Sequence, residues 1–452
     1  MATVTPSSLD YATFDKEIGD DPLGLMIRMR EEGTVCAVPV DDGQRLLVVA
    51  EPAVAAAALA HGTRNHRGLL RELVGSGLFV VASGERWRQR RGLLRPLFAP
   101  RAVAELHTLV LDAAEDFVQR ELLPRAGAEF DLADTLQRLS IEIILRLVDP
   151  TMSGAELHRL TGTVHLAVTH LDRRLFAPDR VQEGEDLAFA DSKRTLEEFI
   201  ARRAGEQRCP VAEPGLLPAL VSALREQSEP EDTELVLREE LLSIFVAGVE
   251  TMGTLLTWIF FNLTGDREAY DHTCREVRET DLQALGAAGP MPPGLLPYTL
   301  AVVEESLRFH PPAWALFRRI EAPLEVAGVR LDAGDLVLAS TYAIHRSPAL
   351  WEEPEAFRPE RFLSGRPPVA QYFPFGAGPH QCLGRQFSLL EAQLVTAVIS
   401  GHGRLELTED RAATRLRPAI ALAPDPAPLA VFVPHGRPAA YPLETVHRGG
   451  AA

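Results

Sequence analysis

Residues Leu241 to Leu263 form an almost wholly apolar run, long enough to cross a bilayer. Such a run must be surrounded, either by lipid or by the rest of the chain. It contains Ser243, Glu250, Thr251, Thr254 and Thr257, and nothing comparable accompanies it elsewhere. A buried central helix is therefore the expectation rather than a membrane span. Covering a helix on all sides takes a large body, and the 452 residues, 46% of them apolar and 24% charged, supply one.

The formal charge of −17, from 46 Lys plus Arg against 63 Asp plus Glu, argues against a nucleic-acid binder with an extended basic surface. Cys36, Cys209, Cys274 and Cys382 are too few and too scattered for a disulfide scaffold or a spaced zinc site, and fit a reducing cytoplasm. Met1 to Asp21 holds no basic region followed by an apolar run, so neither a signal peptide nor an integral membrane anchor is expected.

Helical patterning opens at Leu23 to Met29. Two short strands follow before a helix at Pro52 to Leu59. From about 85 to 310 the long segments read as helix: 85–98, 101–123, 131–148, 154–171, 187–206, 213–227, 234–263, 268–279 and 295–309. After Pro311 short β-prone runs take over, including Leu324 to Val329 and Leu336 to Ser340. One more helix, Leu383 to Ile399, precedes strands near Leu405 and at Ala419 to Leu422. The expected fold is mainly α with small β-sheets, forming one domain over residues 1–434 with a peripheral C-terminal tail at 435–452.

Residues 374 to 384 read Pro-Phe-Gly-Ala-Gly-Pro-His-Gln-Cys-Leu-Gly, just before that last helix. Glycines let backbone approach a flat object closely, and a thiolate gains from the positive end of a helix. On local chemistry alone an ordinary turn around a small core cysteine fits as well. The segment resembles the cytochrome P450 haem-binding signature, Phe-x-x-Gly-x-His/Arg-x-Cys-x-Gly, met by Phe375, Gly378, His380, Cys382 and Gly384. The resemblance implies the P450 fold, with a long central helix and a haem-thiolate loop. It also implies haem b ligated by Cys382, Phe375 packed near the sulfur and His380 as a propionate partner.

Further segments carry the same resemblance. Glu305 and Arg308 share a helix face before Pro311-Pro312, and with Arg361 of Phe-Arg-Pro-Glu-Arg-Phe they match a structural Glu-x-x-Arg triad. Ala247-Gly248-Val249-Glu250-Thr251 resembles the oxygen-activation motif. By that likeness Gly248 leaves room beside the haem, Thr251 supports bound oxygen, and Glu250 links water to solvent. Trp87 and Arg91, four apart, match a propionate-binding pair, and Arg318 a later propionate arginine. Arg88, Arg90, Arg95 and Arg385 suggest a basic docking face for an acidic ferredoxin. No glycine-rich dinucleotide loop is visible, so NAD(P)H is expected to act only indirectly, through ferredoxin reductase.

The resemblance thus implies a cytoplasmic monooxygenase of the soluble bacterial three-component type. It would insert one atom of O2 into a hydrophobic small molecule, a terpenoid or polyketide secondary metabolite. Oxidative coupling or desaturation of an aromatic or peptide-derived metabolite, a peroxide-driven enzyme, and a non-catalytic haem sensor or carrier are the competing readings. Pocket walls are expected around His66 to Ala82, Gly162 to Ala190, Ser243 to Thr254, Ala313 to Phe317 and near Pro426, with Leu78, Phe79, Val246, Ala247, Trp314 and Leu316 offering apolar surface.

Overall fold

The computed structural model describes residues 4–40, 44–64, 74–80, 83–176, 184–206, 215–225, 233–282 and 294–436, together with 178, 181, 291 and 292. Seven helices position the site: α1 (Pro52–His61), α2 (Gly84–Leu94), α3 (Leu132–Val148), α4 (Gly154–Phe176), α5 (Thr233–Gly265), α6 (Pro297–Phe309) and α7 (Arg385–His402). The apolar run lies in α5. Among the described residues this is the helix long and apolar enough to cross a membrane, yet 78% of its most apolar window is buried inside the protein. An all-round apolar surface is what a helix packed on every side needs.

Glycine sets how closely the neighbours approach. A Cβ at Gly253 would stand 2.9 Å from Gln137 Cα, so α5 and α3 meet nearly backbone to backbone there. Asp131 starts α3 by accepting the Asp134 N–H, which fixes where Gln137 falls along it.

A six-stranded sheet flanks this helical body. Its strands are β1 (Thr5–Pro6), β2 (Val35–Pro39), β3 (Arg45–Val49), β4 (Thr63–Arg64), β5 (Leu316–Arg319) and β6 (Leu336–Ala339), in the order β1-β2-β3-β6-β5-β4. β3 and β6 run parallel, with Leu46 opposite Leu336. The buried apolar residues accordingly form two clusters, one among the helices and one around this sheet.

Several expectations need correction. The helix read over 101–123 is broken into Pro100–Ala104, His107–Phe117 and a wider π-helical turn at Val118–Leu122. The strand read over Leu324 to Val329 is a hairpin, Leu324–Val326 and Val329–Leu331, turned at Ala327 and Gly328, whose φ values are 53° and 83°. The strand read at Ala419 to Leu422 is mostly the tip of a hairpin between Arg415–Pro418 and Leu422–Asp425. Pairing of the late strand Leu429–Pro434 with both Gly403–Leu407 and Glu129–Asp131 was not foreseen. His435, placed in the tail, donates its backbone N–H to the His402 carbonyl. Residues 437–452 lie outside the described residues.

Candidate active site

The cysteine loop is held from both sides. Cys382 donates its N–H to the Phe375 carbonyl at 2.9 Å, closing the loop on itself. Gly376 and Gly378 have φ of 69° and 71°, a region side chains disfavour. A Cβ on Gly378 would lie 2.6 Å from Ala60 Cα, so only glycine lets the loop rest on the last turn of α1. Gly384 then caps α7, two residues after the cysteine. Cys382 is exposed, whereas Cys36 and Cys274 are buried; Cys209 lies outside the described residues.

Beside the loop stands a polar wall. The Trp87 and His380 rings lie 4.3 Å apart, and the Arg91 guanidinium sits 5.5 Å from the Trp87 ring centre. Arg91 donates to the Gln381 carbonyl at 2.9 Å. Burial holds the Arg91 pKa below its usual value, and the Cys382 sulfur opposes that shift, so the two groups feel one another's charge. Arg318 is buried on β5 and donates to the Phe317 carbonyl. The missing side chain of Gly62 faces Arg318 Cβ at 2.8 Å, so the end of α1 lies against both the cysteine loop and Arg318.

These residues fit a haem. The Trp87 Nε1 atom is buried without a partner, a loss of about 1–3 kcal/mol that a propionate oxygen would recover. Among the described residues no group of three or more His, Cys, Asp or Glu converges to hold a metal. A single cysteine beside a wall of N–H donors suits a metal whose remaining ligands come with a macrocycle.

Behind the loop, Arg308 and Glu305 are both fully buried. All five Arg308 N–H groups are used: two on the Glu305 carboxylate at 2.7 and 2.8 Å, and three on the carbonyls of His345, Pro354 and Ala356. Glu305 also accepts the Arg358 backbone N–H at 2.8 Å, with the Arg361 Nε atom 3.4 Å away. Arg361 meanwhile donates to the Glu353 carbonyl. The three residues named from the sequence thus come together. His345 adds a link, accepting the Phe373 N–H at 3.1 Å just before the cysteine loop; burial holds its imidazole well below the usual pKa, as an acceptor requires.

On α5, the Thr251 hydroxyl donates to the Ala247 carbonyl at 2.8 Å, with the Gly248 carbonyl at 3.3 Å. Glu250 is buried and turned to α3, where Gln137 donates to its Oε2 at 2.7 Å. Burial pushes the Glu250 carboxyl up to about 7, reinforced by the Asp172 charge and opposed by Arg417 and Gln137. Asp172 and Arg417 pair at 2.9 Å. A Cβ on Gly248 would meet Ile144 Cδ1 at 2.8 Å, so the space this glycine leaves is toward α3.

The sequence model of the cytochrome P450 family matches residues 157–430. The chain belongs to the cytochrome P450 family. It is 28% identical to cyclooctat-9-en-7-ol 5-monooxygenase of Streptomyces melanosporofaciens over 74% of each chain. It is 27% identical to the chloroplastic carotene epsilon-monooxygenase of Arabidopsis thaliana, over 81% of this chain and 74% of that one. A 6-coordinated cytochrome P450 from Thermus thermophilus superposes with a TM-score of 0.68 at 25% identity, covering 92% of this chain and 99% of that structure. The mainly α architecture with small sheets and one long central helix is the P450 fold. As a P450, the protein is a haem-thiolate monooxygenase of hydrophobic small molecules.

Two expectations about this P450's surroundings change. Arg90, assigned to a basic docking face, is only 3% exposed and pairs with Glu239 and Glu240 on α5. Those two acids were not singled out, because Leu-Arg-Glu-Glu-Leu-Leu at 237–242 reads as a solvated helix start. Pro426 sits at the far end of its hairpin. The tip is what reaches inward, with Trp314 donating to the Ala419 carbonyl, Trp258 to the Leu422 carbonyl, and the Ile420 N–H 3.4 Å from Asp172. Residues 66–73 and 81–82 of the expected pocket wall lie outside the described residues.

Proposed function

We propose that this P450 oxygenates a terpenoid or polyketide, with Cys382 as the thiolate that would hold the haem iron and electrons arriving from a ferredoxin served by an NAD(P)H-dependent ferredoxin reductase. The observation that carries the ligand assignment is the placement of Cys382. It is the exposed one of the three described cysteines and lies within the field of Arg91. Burial raises the pKa of the other two, to about 11 for Cys36.

When bound, haem b supplies reductive activation of O2. The chain's own part is to bind, orient and move protons. Trp87, Arg91, His380 and Arg318 would hold the propionates, while Phe375, Gly378 and Gly384 shape the loop at the thiolate. Glu305, Arg308 and Arg361 brace that loop from behind. Ala247 and Gly248 fix the Thr251 hydroxyl through their carbonyls. Glu250, with a carboxyl near neutrality, can both take and release a proton at working pH.

The substrate class rests on two supports. Relatives named for carotene and for cyclooctat-9-en-7-ol act on hydrocarbon-rich molecules. Leu78, Phe79, Val246, Ala247, Trp314 and Leu316 offer the matching apolar wall. Arg88, Arg95 and Arg385 remain as the basic docking face; Arg88 and Arg95 are exposed, although Arg88 pairs with Glu85. A single catalytic domain that includes His435, with a peripheral tail beyond it, acting in the cytoplasm as a bacterial three-component enzyme, completes the reading.

The test is a spectral titration of the purified haem protein against terpenoids, polyketides, aromatics and cyclic dipeptides, followed by product analysis with a surrogate ferredoxin system. A saturable low-spin to high-spin shift with terpenoids or polyketides, and an oxygenated product, is expected. A shift and product confined to cyclic dipeptides or aromatics would overturn the substrate class. Normal haem-thiolate spectra in Cys382→Ser would overturn the ligand.

A further inference from the structure

Segment 74–80 lies directly on the first half of α5. A Cβ added to Gly77 would stand 2.0 Å from Ser243 Oγ and 2.4 Å from the Glu239 carbonyl, so backbone meets helix there without a side chain between. Gly75, with φ of 60°, makes the turn that brings it in. Two backbone amides then end on two adjacent carboxylates. Ser76 donates to Glu239 Oε1 at 2.8 Å, and Leu78 donates to both oxygens of Glu240 at 3.2 and 3.1 Å.

Arg90 closes the arrangement from a third side. Its two terminal nitrogens reach the two acids separately, Nη1 to Glu240 and Nη2 to Glu239, each at 3.3 Å. Arg86 adds a longer contact to Glu239 at 3.5 Å. Glu239, Glu240 and Arg90 are all buried. Buried carboxylates are costly unless fully hydrogen-bonded, and here the bonds come from a loop and a separate helix. Arg90 belongs to α2, which also carries Trp87 and Arg91.

We propose that Glu239 and Glu240, bridged by Arg90, form a carboxylate clamp that fixes segment 74–80 on α5 and so makes both acids specificity-determining residues for bulky ligands. The inference rests on the reading of Leu78 and Phe79 as pocket wall. Neither acid is a catalytic residue: they act through the backbone they hold. Leu78 gives its N–H to Glu240, so the clamp fixes the backbone that carries the Leu78 and Phe79 side chains, which themselves pack against the helical core. The clamp selects by restricting which shapes pass the Leu78 and Phe79 side chains, without touching ligand itself.

The test uses the haem-loaded protein and the Glu239→Gln/Glu240→Gln double variant, which keeps side-chain volume but leaves one acceptor oxygen on each residue, turns the other into an amide donor and removes the carboxylate charge. Amide hydrogen exchange over 74–80 is read without ligand, and stopped-flow association of imidazole and 4-phenylimidazole is read separately. Faster exchange by at least tenfold, with 4-phenylimidazole association up about tenfold and imidazole changed less than twofold, is expected. Unchanged exchange would overturn the clamp itself, whatever the pocket wall is. Faster exchange with both association rates unchanged would overturn the specificity role and show that Leu78 and Phe79 do not border the ligand path. Should the double variant fail to fold, Glu239→Gln and Glu240→Gln taken singly serve the same test, each removing one carboxylate from the Ser76 or the Leu78 amide.

Discussion

Glu250 and Glu391 are two buried carboxyls pushed up by the same cause, yet they differ in company. Glu250 has Gln137, Asp172 and Arg417 around it. Glu391, fully buried on α7, is raised to about 8 by burial, with the Ser140 hydroxyl opposing the shift. Each neighbour of Glu250 has a sign. Asp172→Asn removes a charge that raises the carboxyl, so the midpoint should fall; Arg417→Gln or Gln137→Leu removes a group that lowers it, so the midpoint should rise. The pH dependence of coupled product formation in the three variants checks this order. Glu391 instead affects stability. The folded chain keeps its proton between about 4.5 and 8 where the unfolded chain releases it, so stability falls with rising pH through that window. Glu391→Gln should lose less Tm between pH 5 and 8 than the parent protein. An equal loss in both would show that Glu391 does not hold that proton.

At the level of elements, the cysteine loop depends on the helix and turns behind it. Arg308→Lys keeps a charge beside Glu305 but offers three donors where five acceptor contacts exist, and each buried acceptor left without a donor costs about 1–3 kcal/mol. A Tm several degrees lower and a reduced haem-to-protein ratio after purification are expected. A fully loaded variant of unchanged Tm would contradict the bracing role. Elements of this kind were legible because their signal is local. Glu305 with Arg308, and Phe375 through Gly384, sit within a few residues of one another, and α5 announces itself by composition. The clamp was not legible, because burial of Glu239 and Glu240 comes from Ser76, Leu78 and Arg90, 163, 162 and 150 positions from the acids they meet. The inward-reaching hairpin tip was missed for a related reason. Ala419 to Leu422 are apolar enough to pass for a strand, and only pairing of Arg415–Pro418 with Leu422–Asp425 reveals the turn between them.

Across the whole molecule, a charge of −17 makes any basic face a local exception. With Arg90 turned inward, the proposed docking face consists of Arg88, Arg95 and Arg385. Reversing two of them, Arg95→Glu with Arg385→Glu, should slow electron transfer from an acidic ferredoxin about tenfold at low salt and leave substrate-induced spectral shifts unchanged. A rate insensitive both to this reversal and to ionic strength would place docking elsewhere. The large sheet carries a different consequence, for the order of assembly. β3 leaves the ribosome long before β6, its parallel neighbour, because Leu46 must wait for Leu336. Until then one edge of β3 offers bare N–H and C=O groups, and the apolar cluster around the sheet lacks one of its walls. The seat on α1 likewise stays empty until Gly378 is made, so the cysteine loop is among the last features that the growing chain can set in place, and both surfaces stay uncovered until then.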